Sequence, residues 1–315
     1  MIVCVAGSPS IDRLFLAEQV VIGEIHRPQQ LFTVAGGKGF NVARAAFAIG
    51  AEVHATGMVA GHAGQWVADA LANEGVSASL VWTAGETRTS LSVATSSEPG
   101  VLTEFYEDAP QVTDAEWSQL CDLTAGLLGQ AAWMTLSGAL APGAPVDGYA
   151  QLISAAADGA IPVALDASGE ALLRGVAASP AIVKVNVSEA AEVVSVDPNL
   201  PIVQRALEAA LALQSLSGGA VVVTCGEDGL VGLDSGGTAW RGSLGVRGPY
   251  PVGSGDACLA GLVTALDGGG DWPEALALAL GVAAANAEQP GAGSVDGARA
   301  RDLGHAADVA VMMRP

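Results

Sequence analysis

The chain has 315 residues, half of them hydrophobic and only 15% charged. That excludes a disordered chain, which could not bury enough apolar surface to offset its entropy. Thirty-three acidic residues against 13 basic ones leave a net charge of −20. Such a balance excludes nucleic acid and anionic membranes as partners, because both are held by Lys and Arg. An anionic substrate would need the few basic residues gathered where it sits. Cys4, Cys121, Cys225 and Cys258 form no CxxC pair and no zinc-type spacing with histidine, which suggests a reducing compartment. The first residues carry no basic run or signal cleavage pattern. Two uncharged stretches, 123–146 and 209–226, are broken by Gly, Ser or Gln, and strand-turn-helix units explain them better than membrane spans. The expectation is a cytoplasmic protein without a membrane partner.

In chain order, residues 1–6 are a β-type run followed by a Gly-Ser-Pro-Ser turn. Residues 39–49 read as a helix entered from a glycine-rich turn, 52–59 as a strand and 63–73 as a helix. Four further buried strands are expected at 131–136, 161–165, 181–185 and 220–224. Helical stretches near 145–157, 188–194 and 203–216 separate them. Strands alternating with helices imply parallel βαβ units, and so an α/β fold: a three-layer α/β/α sandwich with a mostly parallel central sheet. Two regions break the rhythm. Residues near 13–33 and 79–106 carry strand-like runs with little helix between. They predict a small antiparallel sheet inserted as a lid beside a cleft. No repeat, linker or clean boundary divides the chain, so 1–315 reads as one domain.

Two glycine-rich segments carry chemistry. In Gly36-Gly37-Lys38-Gly39-Phe40-Asn41, the glycines let backbone approach a ligand closely. The following helix offers unpaired N–H groups and a positive dipole end. Lys38 adds a full charge, and Asn41, one turn into the helix, adds a donor and an acceptor. A structural turn would explain the glycines but not the lysine among them. The segment is not a P-loop, since Gly39 follows Lys38 where Ser or Thr is required, and Phe32 replaces the first glycine. In Pro251-Val252-Gly253-Ser254-Gly255-Asp256, small residues open a long apolar helix whose first N–H groups can converge on an anion. Asp256 could merely complement the helix dipole. The alternative is a general base beside the anion pocket, which suits phosphoryl transfer. Val252 excludes a G-x-S-x-G hydrolase elbow.

Together, in this order, the two segments resemble the signatures of ribokinase-like PfkB carbohydrate kinases, and the likeness runs nearly end to end. It implies a kinase that uses ATP and Mg²⁺. In that family the aspartate of the second signature takes a proton from a sugar hydroxyl, which then attacks the γ-phosphate. By resemblance Asp256 is the base, and the amides of Gly253, Ser254, Gly255 and Asp256 stabilise the charge that develops. The family's Asn-x-x-Glu element reads Asn186-Val187-Ser188-Glu189, with Glu189 acting on Mg²⁺ through water. Taken alone, the same pair reads as a helix cap and its capping-box partner. Thr224, Gly226 and Gly229 resemble the nucleotide-binding turn. Lys184 and Asn186 fall among the ATP-side positions, and Asn286 matches one near the adenine.

Within the family, Ser8-Pro9-Ser10-Ile11-Asp12, Thr87-Arg88-Thr89, Thr103-Glu104-Phe105, Ser137-Gly138-Ala139-Leu140 and the 165–172 segment resemble the 1-phosphofructokinase and tagatose-6-phosphate kinase branch. That likeness implies fructose 1-phosphate or tagatose 6-phosphate as substrate. Asp12 would accept from sugar hydroxyls, and Gly37, Asn41, Ser137 and Gly138 would line the sugar. Lys38 and Arg88 would hold the phosphate already on it, with Arg27 a further candidate. A solvated strand residue is the plain alternative for Arg88. The chain departs from the branch at Ser8, at Glu107-Asp108-Ala109-Pro110, at Lys184-Val185-Asn186 and at Gly248-Pro249-Tyr250. These departures bear on the sugar rather than on the phosphoryl chemistry. The rival readings are a kinase of a neutral sugar or nucleoside and a non-catalytic sugar-phosphate or nucleotide sensor. A nicotinamide oxidoreductase is disfavoured because no G-x-G-x-x-G follows the first strand. As in relatives, the lid would also offer a homodimer surface, where its strand edges would otherwise be exposed.

Overall fold

The computed structural model describes residues 1–97 and 101–315. Residues 98–100, inside the expected lid region 79–106, lie outside the described residues. The elements begin with β1 (Ile2–Ala6), β2 (Ser10–Ala17), β3 (Gln30–Gly36), α1 (Lys38–Ala48), β4 (Val53–Ala60), α2 (Gly61–Asn73), β5 (Ser77–Thr83), β6 (Arg88–Thr95) and β7 (Leu102–Tyr106). They continue with α3 (Asp114–Leu128), β8 (Trp133–Ser137), α4 (Gly148–Asp158), β9 (Val163–Asp166), α5 (Gly169–Ala177), β10 (Ile182–Asn186), α6 (Val187–Ala191), α7 (Ile202–Ser217) and β11 (Ala220–Thr224). The chain closes with β12 (Leu230–Leu233), β13 (Ala239–Ser243), α8 (Ser254–Asp267), α9 (Trp272–Ala287), α10 (Gly297–His305) and β14 (Asp308–Met313).

A ten-stranded sheet runs β14-β13-β12-β11-β10-β9-β8-β1-β4-β5. From β11 to β5 every pairing is parallel, while β12, β13 and β14 are added antiparallel. Side chains alternate across it, as the pleat requires. Ile2, Cys4 and Ala6 enter a core shared with α1, α2, α8, α9 and α10, whereas Val3 and Val5 enter a second core shared with α3, α4, α5 and α7. With both faces covered, the strands read as unbroken apolar runs. This is the expected three-layer α/β/α sandwich. Local chemistry fixes several helix starts. Capping boxes close α3 (Thr113 with Glu116) and α9 (Asp271 with Glu274), satisfying N–H groups that a helix start leaves open.

A separate four-stranded sheet, β3-β2-β6-β7, forms the lid. It differs from the expectation in two ways. Ser77–Thr83 belongs to the main sheet, paired parallel with β4. As the edge strand it leaves residues such as Trp82 exposed, and its half-polar pattern reads like that of a lid strand. The lid is also mixed rather than antiparallel, because its central pair, β2 with β6, runs parallel. The chain leaves the lid after β3, builds α1, β4, α2 and β5 of the main layers, and re-enters from the same end, which parallel pairing requires.

Candidate active site

A cleft of about 940 Å³ lies between the inner face of the lid and the main sheet. The carboxyl ends of the parallel strands point into this region, where open α/β sheets ordinarily bind ligands. Helices α1 and α8 both start at its wall. Each is entered through a glycine with positive φ, Gly37 at 90° and Gly253 at 82°, a conformation that costs an L side chain about 1–2 kcal/mol.

At the α8 end, Asp256 is buried and its Oδ2 accepts from Asn41 Nδ2 at 2.8 Å. Burial and the nearby Asp166 carboxylate push its pKa up to about 7, against the pull of Lys38, Lys184 and the Asn41 bond. A carboxylate tuned near neutrality suits proton abstraction. The Ser254 N–H already donates to the Pro251 carbonyl at 3.1 Å. The donors left facing the cleft are therefore the first-turn amides of Gly255 and Asp256, with Gly253 before them.

Next to this helix start sits a cluster of paired charges. Asp166, at the end of β9 and fully buried, takes Lys38 Nζ at 3.1 Å on one oxygen and Lys184 Nζ at 2.6 Å on the other. Burial pulls the Asp166 carboxyl upward, but the two ammonium groups outweigh it and hold the pKa below the ordinary value. Lys38 also donates to Glu189 at 2.8 Å. Both lysines stay protonated: burial alone would lower their pKa values, and the surrounding carboxylates, Asp166 foremost, raise them instead. Lys184 lies directly under the start of α8, since a Cβ on Gly255 would come within 3.0 Å of its Nζ.

At the lid end, Asp12 accepts from Ser10 Oγ at 2.6 Å and from the Gly37 N–H at 3.4 Å. Burial raises its pKa despite those bonds and the nearby Arg88 and Arg44 charges. Arg88 is held through Nε to Ser8 Oγ at 3.0 Å, Nη1 to Ser90 Oγ at 3.0 Å and Nη2 to the Ser8 carbonyl at 3.3 Å. Such tethering fixes the guanidinium plane while leaving N–H groups over for a ligand.

The structure therefore brings Asp12, Gly37, Lys38, Asn41, Arg88, Gly138, Lys184, Asn186, Glu189, Thr224, Gly226, Gly229, Gly253, Ser254, Gly255 and Asp256 around one cleft. Three expected residues stand apart. Arg27 is exposed in the loop between β2 and β3 and does not line the cleft. Ser137 is fully buried at the end of β8, one residue short of the cleft wall. Asn286 is fully buried in α9, with its amide engaged by Val252, Ser254 and Gly293. Its side chain supports the start of α8. Asn186 and Glu189 do form the capping box of α6, and Glu189 has Lys38 as a second partner.

Sequence reasoning assigned no role to Asp166, although a lone charge ending an apolar strand was its signal. It also passed over Tyr106, whose hydroxyl donates to Glu104 at 2.6 Å, and the exposed Arg247–Glu227 pair at 2.6 Å, both of which line the cleft. Among the described residues no three His, Cys, Asp or Glu side chains gather into a metal-holding cluster. One partly exposed carboxylate, Glu189, suits a hydrated Mg²⁺ carried on phosphate oxygens. No helix among them is long and apolar enough to cross a membrane.

A lidded α/β sandwich of this topology, with a buried carboxylate at a glycine-entered helix start beside the cleft, defines a ribokinase-like fold. The model of the pfkB family carbohydrate kinases matches residues 2–297, and the chain belongs to that family. It is a sugar kinase, and kinases of this family use ATP as co-substrate. Solved structures agree on the fold. A possible 1-phosphofructokinase from Thermotoga maritima is 21% identical, with 99% of this chain and 100% of that chain covered and a TM-score of 0.89. Escherichia coli phosphofructokinase-2 in complex with fructose-6-phosphate is 23% identical over 97% and 98%, with a TM-score of 0.84. The E. coli enzyme also has a tetrameric inhibited form. Arabidopsis thaliana ribokinase complexed with ribose and ATP is 21% identical over 96% and 98%, with a TM-score of 0.76.

Proposed function

We propose that the protein transfers the γ-phosphoryl group of ATP to a hydroxyl of a phosphorylated ketohexose, fructose 1-phosphate or tagatose 6-phosphate, giving the bisphosphate and ADP. The observation that carries this reading is that a buried Asp256, the open start of α8 and a tethered Arg88 line one cleft. Asp256, ionised above about pH 7, takes the hydroxyl proton as the oxygen bonds to phosphorus and the bond to ADP breaks. Amides of Gly253, Gly255 and Asp256 receive the charge that develops on the phosphoryl oxygens. Asp12 orients the sugar hydroxyls, and Arg88 pairs with the phosphate already present. Thr224, Gly226 and Gly229 line the nucleotide end. Glu189, with Asn186 beside it, would hold Mg²⁺ through water, and the bound ion neutralises phosphate charge.

A neutral sugar is the second reading, and one observation favours it. Lys38 is tied to Asp166 and Glu189, and Glu107 and Asp108 line the cleft as well, so Arg88 stands with less cationic help than the resemblance implies. An ADP-release assay decides between them. Its panel contains fructose 1-phosphate, tagatose 6-phosphate, fructose 6-phosphate, fructose, ribose and adenosine, with Asp256→Asn as control. Turnover confined to phosphorylated ketoses supports the first reading. Turnover on a neutral compound replaces it with the second.

The outer face of the lid is also read as a dimer surface. By the strand register Phe15, Leu31, Leu91, Val93 and Phe105 share that face, with Leu31 50% and Phe105 59% exposed. A monomer by sedimentation at micromolar concentration would remove this reading.

A further inference from the structure

The turn at residues 291–294 touches both helix starts at once. From the α1 side, Arg44 is 6% exposed and donates through Nη1 to the Ala292 carbonyl at 2.5 Å and through Nη2 to Ser294 Oγ at 3.5 Å. Its Nε donates to Glu74 at 2.5 Å. Gly293 lies flat against the same helix, since a Cβ there would come within 2.9 Å of the Cα and O of Asn41. From the α8 side, Gly253 abuts the turn, and a Cβ on it would meet the Ala292 Cβ at 2.7 Å. Asn286 joins the two sides. Its Oδ1 accepts from the Gly293 N–H at 2.8 Å, and its Nδ2 donates to the Val252 carbonyl at 2.9 Å and to Ser254 Oγ at 3.2 Å.

We infer that Arg44 and Asn286 are positioning residues. They clamp the 291–294 turn as a spacer that sets the distance between Asn41, which holds the Asp256 carboxylate, and the amides at the start of α8. The inference rests on the proposed phosphoryl transfer, because only that reading gives those amides a charge to receive. Packing alone does not account for Arg44. Burying a guanidinium is costly, and an apolar side chain of similar volume serves a core as well or better. All of Asn286's partners, moreover, belong to the turn or to the loop that opens α8. Donors aimed at a developing charge work only when fixed in advance, so a clamp here acts on the transition state more than on the ground state.

The test compares wild type with Arg44→Met, Arg44→Lys and Asn286→Leu. Three quantities are read: the thermal midpoint, kcat with both KM values, and the affinity for Mg²⁺-ADP with and without fluoroaluminate by calorimetry. Arg44→Met and Asn286→Leu are expected to lower kcat about tenfold to a hundredfold while both KM values stay within about twofold. The gain in affinity from fluoroaluminate should shrink by the same factor, and Arg44→Lys should recover part of both. An unchanged kcat, or a loss that merely follows the folded fraction, overturns the proposal. Should Arg44→Met fail to fold, Arg44→Lys carries the same comparison. The fluoroaluminate measurement needs no sugar and so separates the two claims. A wild type that phosphorylates none of the panel yet gains affinity from fluoroaluminate, a gain lost in the variants, sinks the substrate reading and keeps the clamp. No gain in the wild type sinks the clamp.

Discussion

The starts of α1 and α8 are built alike and differ in what faces them. Both follow a glycine with positive φ, and neither has a side-chain cap. At α1 the protein supplies its own anion: Asp12 accepts from the Gly37 N–H, and Lys38 turns away to Asp166 and Glu189. At α8 the nearby carboxylate, Asp256, is turned toward Asn41 instead, which leaves the amides open to the cleft. A glycine-entered helix is therefore not an anion site by itself. Of the two helix starts, α8 alone combines amides without an internal carboxylate and a lysine beneath them, which is why the proposed function places the phosphoryl group there.

The sharpest break of this comparison is Asp256→Asn. Turnover should fall about 10²–10⁴-fold, the usual worth of a positioned base, while ATP affinity measured by calorimetry holds. Asp12→Asn should instead raise the sugar KM and spare most of kcat. Next in size, Arg88→Ala should raise KM for a phosphorylated sugar about tenfold or more, since a charge-assisted hydrogen bond contributes about 1.5–3 kcal/mol. A neutral sugar should show no such change, and steady-state kinetics on both would expose a misassigned Arg88. Smaller still, Gly253→Ala and Gly37→Ala each force an L residue to positive φ. The first should lower kcat and the second raise the sugar KM, each by about tenfold if misplacement acts as it does elsewhere.

The smallest effect concerns pH. Turnover should rise with pH through about 7 as Asp256 ionises, and Asp256→Asn should flatten that limb. Stability runs the opposite way. Between the ordinary value of 3.8 and about 7, the folded chain keeps a proton that the unfolded chain has lost. This contribution is whole below that window and disappears as pH rises through 7. Asp256→Asn should melt a few degrees above wild type at pH 8, and the gap should close toward acid pH; a gap that widens there would contradict the raised pKa.

Much of this was legible in the sequence, for local reasons. The central parallel strands announce themselves because burial on both faces leaves unbroken apolar runs: 220–224 coincides with β11, and the runs at 1–6, 52–59, 131–136, 161–165 and 181–185 fall within a few residues of β1, β4, β8, β9 and β10. Strands β12 to β14 escaped notice. β12 is only four residues long, β13 contains Arg241 and Gly242, and β14 is largely exposed, so none shows a clear period. The two glycine-rich segments revealed both helix starts. What joins them did not show. Asp166 meets Lys38 and Lys184, and Arg44 meets Ala292, across separations that no local pattern records. Asn286 stands out in the sequence as a position, but its partners follow only from how α9 lies against the start of α8.

The parallel pairing of β2 with β6 has a consequence for assembly. Ser10 lies beside Arg88 and Ala17 beside Thr95, and between the two strands the chain lays down β3, α1, β4, α2 and β5. Closing such a long loop is entropically costly until the intervening segments are placed. The β2–β6 pairing is thus expected to form only after those segments are in place, whereas the local β2–β3 hairpin need not wait. The lid also cannot be cut out as one piece, because four separate chain crossings tie it to the main sheet, at Gly7–Pro9, Gly36–Gly37, 84–87 and 107–113. Any opening of the cleft has to bend all four together, which favours a rigid tilt of the whole lid over the peeling of a single strand.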